Sequence, residues 1–220
     1  MKLHTAERKN AKIKLAITGS SGSGKTYSAL LRASGLTKWE KVAVIDTENG
    51  SANLSAHLGA YKVLPLENHK PDTYIKAIEV CEKAGIEVVI LDSVTHEWEW
   101  CKEYHNSLPG NSFTNWGKVT PLHDKFVRKI LTTNVHVIAT MRTKQDYVLQ
   151  DKNGKKVPEK VGLKVVQRDG LDYEFTLVFD LDINHNANAS KDRTGLFSAE
   201  NLFVITEGTG KTILDWCQQG

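Results

Sequence analysis

The sequence predicts an α/β protein in which helices cover both faces of a mainly parallel central sheet, with an added β-hairpin region. Short apolar runs alternate along the chain with segments of helical periodicity, and this alternation is typical of parallel strands joined by right-handed crossovers. A glycine-rich turn also joins the first strand to the first helix. At 220 residues the chain has the size of one large domain. We therefore expect a single domain over 1–220, with an N-terminal extension over 1–11.

The first half of the chain predicts three strands and two helices. Residues 13–18, 41–46 and 87–92 are apolar runs of strand length. Residues 26–36 and 73–84 place apolar side chains at helical spacing. The resulting order of strand, helix, strand, helix, strand predicts that these strands lie parallel.

The next predicted elements are a helix and a fourth strand. Residues 96–118 are polar and rich in aromatic side chains, and the pattern assigns them no regular element. Thr120 and Pro121 then resemble the cap and the first-turn proline of a helix that runs through Asn134. Residues 135–140 (VHVIAT) form the fourth strand.

Beyond the fourth strand the pattern changes to that of antiparallel structure. Residues 147–157 carry Asn153-Gly154 between alternating segments, which is a hairpin signal. A polar turn is expected over 184–190. The strands on either side of that turn are predicted at 174–183 and 202–206.

Composition argues against several classes of protein. The three cysteines, Cys81, Cys101 and Cys217, are far apart and contain no C-x-x-C pair, so we expect reduced thiols without a disulfide or metal role. No apolar run approaches the roughly 18 residues that span a bilayer. Residues 1–14 are polar and basic and lack the apolar core of a signal peptide. We therefore expect a cytoplasmic protein that has no membrane partner.

Residues 19–26 (GSSGSGKT) fit the phosphate-loop pattern G-x-x-x-x-G-K-[ST]. They follow a predicted strand and open a predicted helix, so backbone N–H groups and the positive end of the helix dipole would face a phosphate. Lys25 is expected to reach the β- and γ-phosphates of ATP, and Thr26 to ligate Mg²⁺. The predicted nucleotide-binding residues are Gly19, Ser20, Ser21, Gly22, Ser23, Gly24, Lys25 and Thr26.

Residues 208–212 (GTGKT) imitate the same motif near the end of the chain. They lack the first glycine four residues ahead, and too little chain follows them for a supporting helix. We expect neither a second phosphate loop nor a helix there.

Two carboxylates complete the predicted catalytic set. Asp92 ends the most apolar strand, where it would hold Mg²⁺ through water; a helix-capping role is the alternative, and Ser93 either shares the site or caps. Glu48 follows the second strand, which we expect next to the phosphate loop, and would polarise a water toward the γ-phosphate. Asp46 competes for that role, and a solvated loop acid is the other reading of Glu48.

These residues, in this order, resemble the RecA-like ATPase core: the phosphate loop, then Asp46-Thr47-Glu48, then VVILDSV at 88–94. The agreement continues through VHVIAT and a basic hairpin to QRDGLDYEFTLVFDLD and SKDRTGLF. Together, over roughly residues 12–197, they are similar to the small phage-encoded RecA-like ATPases of the Sak recombination group. The resemblance implies a RecA-like P-loop core that uses ATP and Mg²⁺.

The resemblance also implies partners and an assembly. It implies binding to single-stranded DNA, homo-oligomeric rings or filaments, and a role in annealing or recombination in the cytoplasm of a host cell. A single-stranded-DNA-binding protein is a further implied partner.

One departure from the RecA pattern concerns the γ-phosphate sensor. RecA proteins carry a glutamine after the fourth strand, whereas this chain reads Ala139-Thr140-Met141-Arg142. Thr140 and Arg142 are therefore the sensor candidates. Lys191 and Arg193 resemble the basic residues that RecA-like subunits insert into a neighbour's ATP site; a charged surface turn is the alternative.

Positive charge is concentrated between residues 142 and 168, which hold eight Lys or Arg against three Asp or Glu. RecA-like proteins place a mobile DNA loop in this region, and Tyr147 would add a stacking platform. The alternative is a solvated hairpin whose lysines serve solubility. The candidate DNA-binding residues are Arg142, Lys144, Lys152, Lys155, Lys156, Lys160, Lys164 and Arg168.

A second candidate DNA surface is the stretch 105–118, which contains Phe113, Asn115 and Trp116. These side chains contact DNA, pack on a neighbouring subunit, or anchor their own loop.

Three other functions remain open from sequence. The first is a loader or regulator of another protein, which would normally add a helical lid with a sensor arginine. The second is a small-molecule phosphotransferase, and the third is a nucleotide-binding module without catalysis.

Overall fold

The computed structural model of the chain describes residues 11–152, 155–197 and 201–219, and the side chains of 147–161 lie outside this description. Nine strands of the described part form one sheet. They are β1 (Lys14–Gly19), β2 (Val42–Asp46), β3 (Lys62–Pro65), β4 (Val88–Asp92), β5 (His136–Lys152), β6 (Lys155–Val165), β7 (Leu177–Leu181), β8 (Asn186–Asp192) and β9 (Phe203–Val204). The α-helices are α1 (Lys25–Leu36), α2 (Pro71–Lys83), α3 (Thr95–Ser107), α4 (Ser112–Thr132) and α5 (Glu207–Gln218). Among the helices so described, none is long and apolar enough to cross a membrane.

The sheet order is β3-β2-β4-β5-β1-β7-β8-β9, with β6 paired to β5 alone. The first six strands in this order run parallel, whereas β6, β8 and β9 add antiparallel pairs. Helices α1 and α5 pack on one face through Leu30 and Ile213. Helices α2 and α4 pack on the other through Tyr74 and Phe126. Both faces are thus covered, which confirms the predicted α/β fold class.

Strand register brings the predicted site residues to one edge of the sheet. Asp46 pairs with Asp92, and Gly19 pairs with Arg142, because parallel strands end at the same edge. The prediction that β2 neighbours the phosphate-loop strand is wrong, since β4 and β5 separate β2 from β1. Strand order is a tertiary property that local periodicity does not encode.

The stretch 96–118 is mostly helical, contrary to the prediction. The sequence pattern does not predict helix α3, because the buried face of this helix carries Glu97, Cys101 and His105 rather than a run of apolar residues. Helix α4 begins eight residues before Thr120, capped by the Asn111 side chain, which accepts hydrogen bonds from two backbone N–H groups. Pro121 therefore lies inside α4 rather than in its first turn.

The end of the chain also differs from the prediction. The polar residues 186–192 form strand β8, which pairs antiparallel with β7, instead of a turn. Residues 208–212 lie inside α5, so they form no phosphate loop, but the predicted absence of a helix is wrong. A Cβ atom on Gly210 would lie 2.2 Å from the Arg32 carbonyl oxygen, so α5 packs on α1 at a distance that only glycine permits.

A two-stranded ribbon extends from the sheet. Strand β5 starts in the core beside β1 and continues without interruption to Lys152, and β6 pairs with its outer part from Thr143 onward. The predicted hairpin is present and longer than the sequence suggested. Its Asn153-Gly154 turn lies outside the described residues.

Candidate active site

The phosphate loop follows β1 and opens α1. Gly24 has a φ of 85°, a left-handed conformation that favours glycine. A Cβ atom on Gly19 would lie 2.4 Å from the Ser23 hydroxyl, so the loop closes tightly on its first glycine. The Lys25 ammonium group donates to the Ser20 carbonyl oxygen at 2.8 Å. Lysine and loop thus form one compact positive surface.

Asp92 is held at this surface by two hydroxyl groups. Thr26 Oγ1 donates to Asp92 Oδ2 at 2.6 Å, and Thr140 Oγ1 donates to Oδ1 at 2.5 Å. Burial raises the pKa of Asp92, whereas these two hydrogen bonds oppose the rise. Asp92 is only 1% exposed, so the carboxylate is aimed into the cleft rather than solvated.

The oxygen donors of this cluster fit Mg²⁺, a hard cation that prefers carboxylate and hydroxyl ligands. The Thr26 hydroxyl and the Asp92 carboxylate already lie within hydrogen-bond distance of each other. They are the residues that would hold the ion. When bound, Mg²⁺ would neutralise charge on the phosphate oxygens.

The carboxylates of Asp46 and Glu48 have different surroundings. Asp46 is 2% exposed, and its two carboxylate oxygens accept from the backbone N–H groups of Glu48 and Ala52. Glu48 instead lines the cleft together with Lys25. Asp46 therefore shapes the turn, while Glu48 is the carboxylate of this pair that lines the cleft beside Lys25.

Arg142 holds Glu48 through two hydrogen bonds. Its Nε and Nη2 atoms both donate to Glu48 Oε1, at 3.1 and 2.8 Å. Lys25 lies close by, and burial lowers its pKa while Asp92 and Glu48 raise it. The cleft of about 550 Å³ that these four residues line contains two cations and two carboxylates.

Ser93 contacts the start of α3 and does not line the cleft. Its hydroxyl oxygen accepts from the Thr95 backbone N–H at 3.2 Å. Its own backbone N–H donates to the hydroxyl of Thr47 at 2.7 Å. The Ser93 hydroxyl therefore satisfies one backbone N–H at the start of α3, whose N-cap residue is Val94.

The turn between β7 and β8 contacts the phosphate loop, and the sequence did not predict this contact. His185 Nδ1 donates to the Ser23 carbonyl oxygen at 3.0 Å; because a carbonyl only accepts, this nitrogen carries the proton. Asp182 stabilises the turn by accepting from the backbone N–H groups of Asn184 and Asn186. The contact joins residues 162 positions apart, beyond the reach of any local motif.

Lys191 and Arg193 do not line the cleft of their own chain. Both donate to the Tyr173 carbonyl oxygen. Lys191 pairs with Val178 on β7, toward the strand end remote from the phosphate loop. The structure therefore gives this pair no contact with the cleft of its own chain.

The basic segment is partly neutralised in the described side chains. Lys164 forms an ion pair with Asp169 at 3.0 Å, and Arg168 forms one with Asp124 at 2.6 Å. Lys144 is exposed. Tyr147, Lys152, Lys155, Lys156 and Lys160 have side chains outside the described set.

The aromatic residues at the start of α4 have mixed roles. Asn115 is 3% exposed and donates to the carbonyl oxygens of Leu108 and Pro109, so it anchors its own loop. Trp116 stacks on Trp98. Phe113 is 87% exposed and borders an open groove of about 840 Å³.

A buried polar trio connects α3 and α4. His123 Nδ1 lies 3.0 Å from Glu97 Oε2, and the Cys101 thiol donates to Glu97 Oε1 at 3.2 Å. Burial raises the pKa of Cys101. These ligand-type atoms lie within 4.8 Å of one another, and hydrogen bonds join all three. Cys81, Cys101 and Cys217 are buried free thiols.

The fold and the loop together define a P-loop nucleotide-binding protein. A family model described as AAA domain matches residues 11–205, and the chain belongs to this family. Membership of this family supports the predicted class of P-loop ATPase. Among curated proteins, no sequence matches the chain.

One similar solved structure is that of a prototypical ATPase from the type III secretion system of pathogenic bacteria. It is 17% identical to this chain with a TM-score of 0.48, and the match covers 79% of this chain and 54% of that one. The chain thus spans about half the length of that ATPase.

Proposed function

We propose that this ATPase depends on Mg²⁺, binds single-stranded DNA and acts in phage recombination or single-strand annealing. The observation that carries the proposal is the path of β5. One uninterrupted strand contributes Thr140 to the Asp92 carboxylate, Arg142 to Glu48, and then half of the basic ribbon. A change at the γ-phosphate position would therefore reach a DNA-binding surface along a single strand, whose pairing with β6 shifts register between Asp146 and Tyr147.

The chemistry needs four side chains. Lys25 neutralises the β- and γ-phosphates, and Thr26 and Asp92 hold Mg²⁺. Glu48 accepts a hydrogen bond from the attacking water and orients it in line with the bond that breaks. Placement of Glu48 at the cleft, with Asp46 engaged by the backbone, supports this division of roles.

Arg142 is the better of the two sensor candidates. In this arrangement the Arg142 guanidinium donates two hydrogen bonds to Glu48 Oε1. These hydrogen bonds restrain Glu48 from orienting water. A γ-phosphate offers Arg142 a stronger bidentate partner. If the Arg142 side chain moved from Glu48 to the γ-phosphate, it would free Glu48. The same movement would shift the start of the ribbon. Thr140 stays with Asp92 and serves to fix the metal ligand.

The ribbon is the proposed contact with DNA. Cations along it would follow a phosphate backbone in a salt-sensitive manner without reading sequence. Because Lys164 and Arg168 already have acidic partners, their contribution requires those pairs to open. Lys144 is the exposed described cation on β5 and the first to test.

Assembly into rings or filaments is part of the proposal. Lys191 and Arg193 lie away from their own cleft, as a pair acting on a neighbour's γ-phosphate would. Such a cation stabilises charge that develops during hydrolysis. Turnover per subunit should then rise with protein concentration.

Fluorescence anisotropy with a labelled single-stranded oligonucleotide tests the DNA partner. Wild-type protein should bind at about 50 mM salt, with affinity that falls steeply as salt rises. Lys144→Glu should weaken binding and lower the salt slope by about one. Lys76→Glu, an exposed charge reversal on α2, is the matched control. Absence of binding by wild-type protein at this salt rejects the DNA partner.

A further inference from the structure

Thr47, between Asp46 and Glu48, forms an unusually dense set of hydrogen bonds for a single threonine. Its backbone N–H donates to the Asp92 carbonyl oxygen at 2.9 Å, which continues the β2–β4 pairing by one residue. Its hydroxyl oxygen accepts from the Ser93 backbone N–H at 2.7 Å. The residue before Glu48 is thus tied directly to the strand end that carries Asp92.

His96 also contacts this hydroxyl group. Its Nδ1 atom lies 2.6 Å from Thr47 Oγ1, and Thr47 is only 6% exposed. The Thr47 hydroxyl proton can be donated to His96 Nδ1, or to the carbonyl oxygens of Asp92 at 2.9 Å or Ser93 at 3.3 Å while Nδ1 donates in return. In each arrangement the contact with the imidazole, the shortest of these, helps to orient the hydroxyl group.

The His96 ring is itself held in place. It stacks on His69 with centroids 4.9 Å apart. It is half-buried near the first turn of α3, where Glu48 and Arg142 both act on it electrostatically. A side chain that hydrogen-bonds to the Thr47 hydroxyl group and lies near both Glu48 and Arg142 is well placed to set their geometry.

We propose that His96 is a positioning residue for hydrolysis, which acts on Glu48 through the Thr47 hydroxyl group. The hydrogen bonds of Thr47 fix the backbone at 46–48 against the end of β4, and His96 holds that hydroxyl in its working orientation. This inference rests on the proposed role of Glu48 as the residue that orients the water. Misplacement of such a group by about 1 Å can cost up to roughly 100-fold in rate.

Two pairs of variants separate hydrogen bonding from packing. Thr47→Val removes the hydroxyl group at constant shape, and Thr47→Ser retains it. His96→Phe keeps a ring to stack on His69, and His96→Asn keeps a polar atom near the position of Nδ1. Thr212→Val, on the exposed face of α5, is the matched control for the loss of a threonine hydroxyl.

Steady-state ATP hydrolysis and ATP affinity are measured for each variant, together with the melting temperature. Thr47→Val and His96→Phe should each lower kcat by about tenfold or more, with KM and ATP affinity within about threefold of wild type. Thr47→Ser and His96→Asn should recover most of the rate. The double variant Thr47→Val/His96→Phe should be no slower than the slower single variant, because both remove one linkage.

Glu48→Gln distinguishes failure of this inference from failure of the assigned base. If Glu48→Gln loses turnover while His96→Phe keeps the wild-type kcat, the positioning role is wrong and the base stands. If Glu48→Gln turns over normally, the base assignment is wrong and this inference falls with it. Additive losses in the double variant, or equal losses in kcat and ATP affinity, would also overturn the positioning role.

Discussion

Replacing Gly210 by alanine tests the close packing of α5 on α1. A Cβ atom at this position would lie 2.2 Å from the Arg32 carbonyl oxygen, and one on Gly35 would lie 2.1 Å from the Glu207 carbonyl oxygen. Both contacts are backbone to backbone, so no side-chain rotation relieves them. The two helices must separate by about 1 Å, and such overpacking costs about 1–3 kcal/mol.

Gly208→Ala is the matched control because it lies on the same helix. Its Cβ atom would have the Thr206 hydroxyl as its nearest atom, at 3.4 Å, an ordinary contact. Both variants gain helix propensity of up to about 1 kcal/mol, so their difference isolates the clash. Urea denaturation should show Gly210→Ala less stable than Gly208→Ala by about 2 kcal/mol. Equal stability of the two variants would refute the packing described here.

The remaining predictions concern pH, a buried charge and the sensor. Burial lowers the pKa of His136 to about 4, and its Nδ1 atom accepts a hydrogen bond from the Ile13 backbone N–H. Histidine in the unfolded chain titrates near pH 6.5. The free energy of unfolding should therefore be highest above that pH and fall by up to about 3 kcal/mol below pH 4. His136→Asn keeps an acceptor without titrating, so its unfolding free energy should change less over this range; an unchanged pH profile would contradict the assignment. Arg32 is fully buried over the Phe179 ring, its guanidinium has no hydrogen-bond partner in the described residues, and burial lowers its pKa well below the usual value. Since burial of an unpaired charge costs several kcal/mol and a cation–π contact returns about 2, Arg32→Met should raise stability by about 1 kcal/mol or more in urea denaturation, and a marked loss would reveal a compensating contact. Arg142→Ala should raise phosphate release without DNA and abolish its stimulation by DNA; retained stimulation would exclude Arg142 as the sensor.

The sequence predicts best what depends on neighbours in the chain. The phosphate loop is local, because glycines and Lys25 act within one turn, and β1, β2 and β4 are mostly apolar. The shared edge of Asp46 and Asp92 also follows from sequence, since parallel strands end together. These features predict that Glu48, Asp92 and the loop lie at one edge of the sheet.

Other features depend on distant partners and were missed. Helix α3 buries Glu97, whose partner His123 lies 26 residues away in the chain. Because the helix buries polar residues, its sequence lacks the apolar periodicity that predicts a helix. Strand β8 is polar and forms because β7 offers an open edge. The contact of Glu48 with Arg142 and that of Thr47 with His96 join separate strands and helices, and no spacing rule encodes them.

Phosphate release from Mg-ATP by wild-type protein and by Lys25→Ala, with and without single-stranded DNA at about 50 mM salt, is the most direct measurement of the central claim. The wild-type protein should release phosphate faster when DNA is present, and the folded Lys25→Ala variant should release none above background. Equal rates for the two proteins would contradict the assignment of the site, and a wild-type rate indifferent to DNA would contradict the proposed coupling.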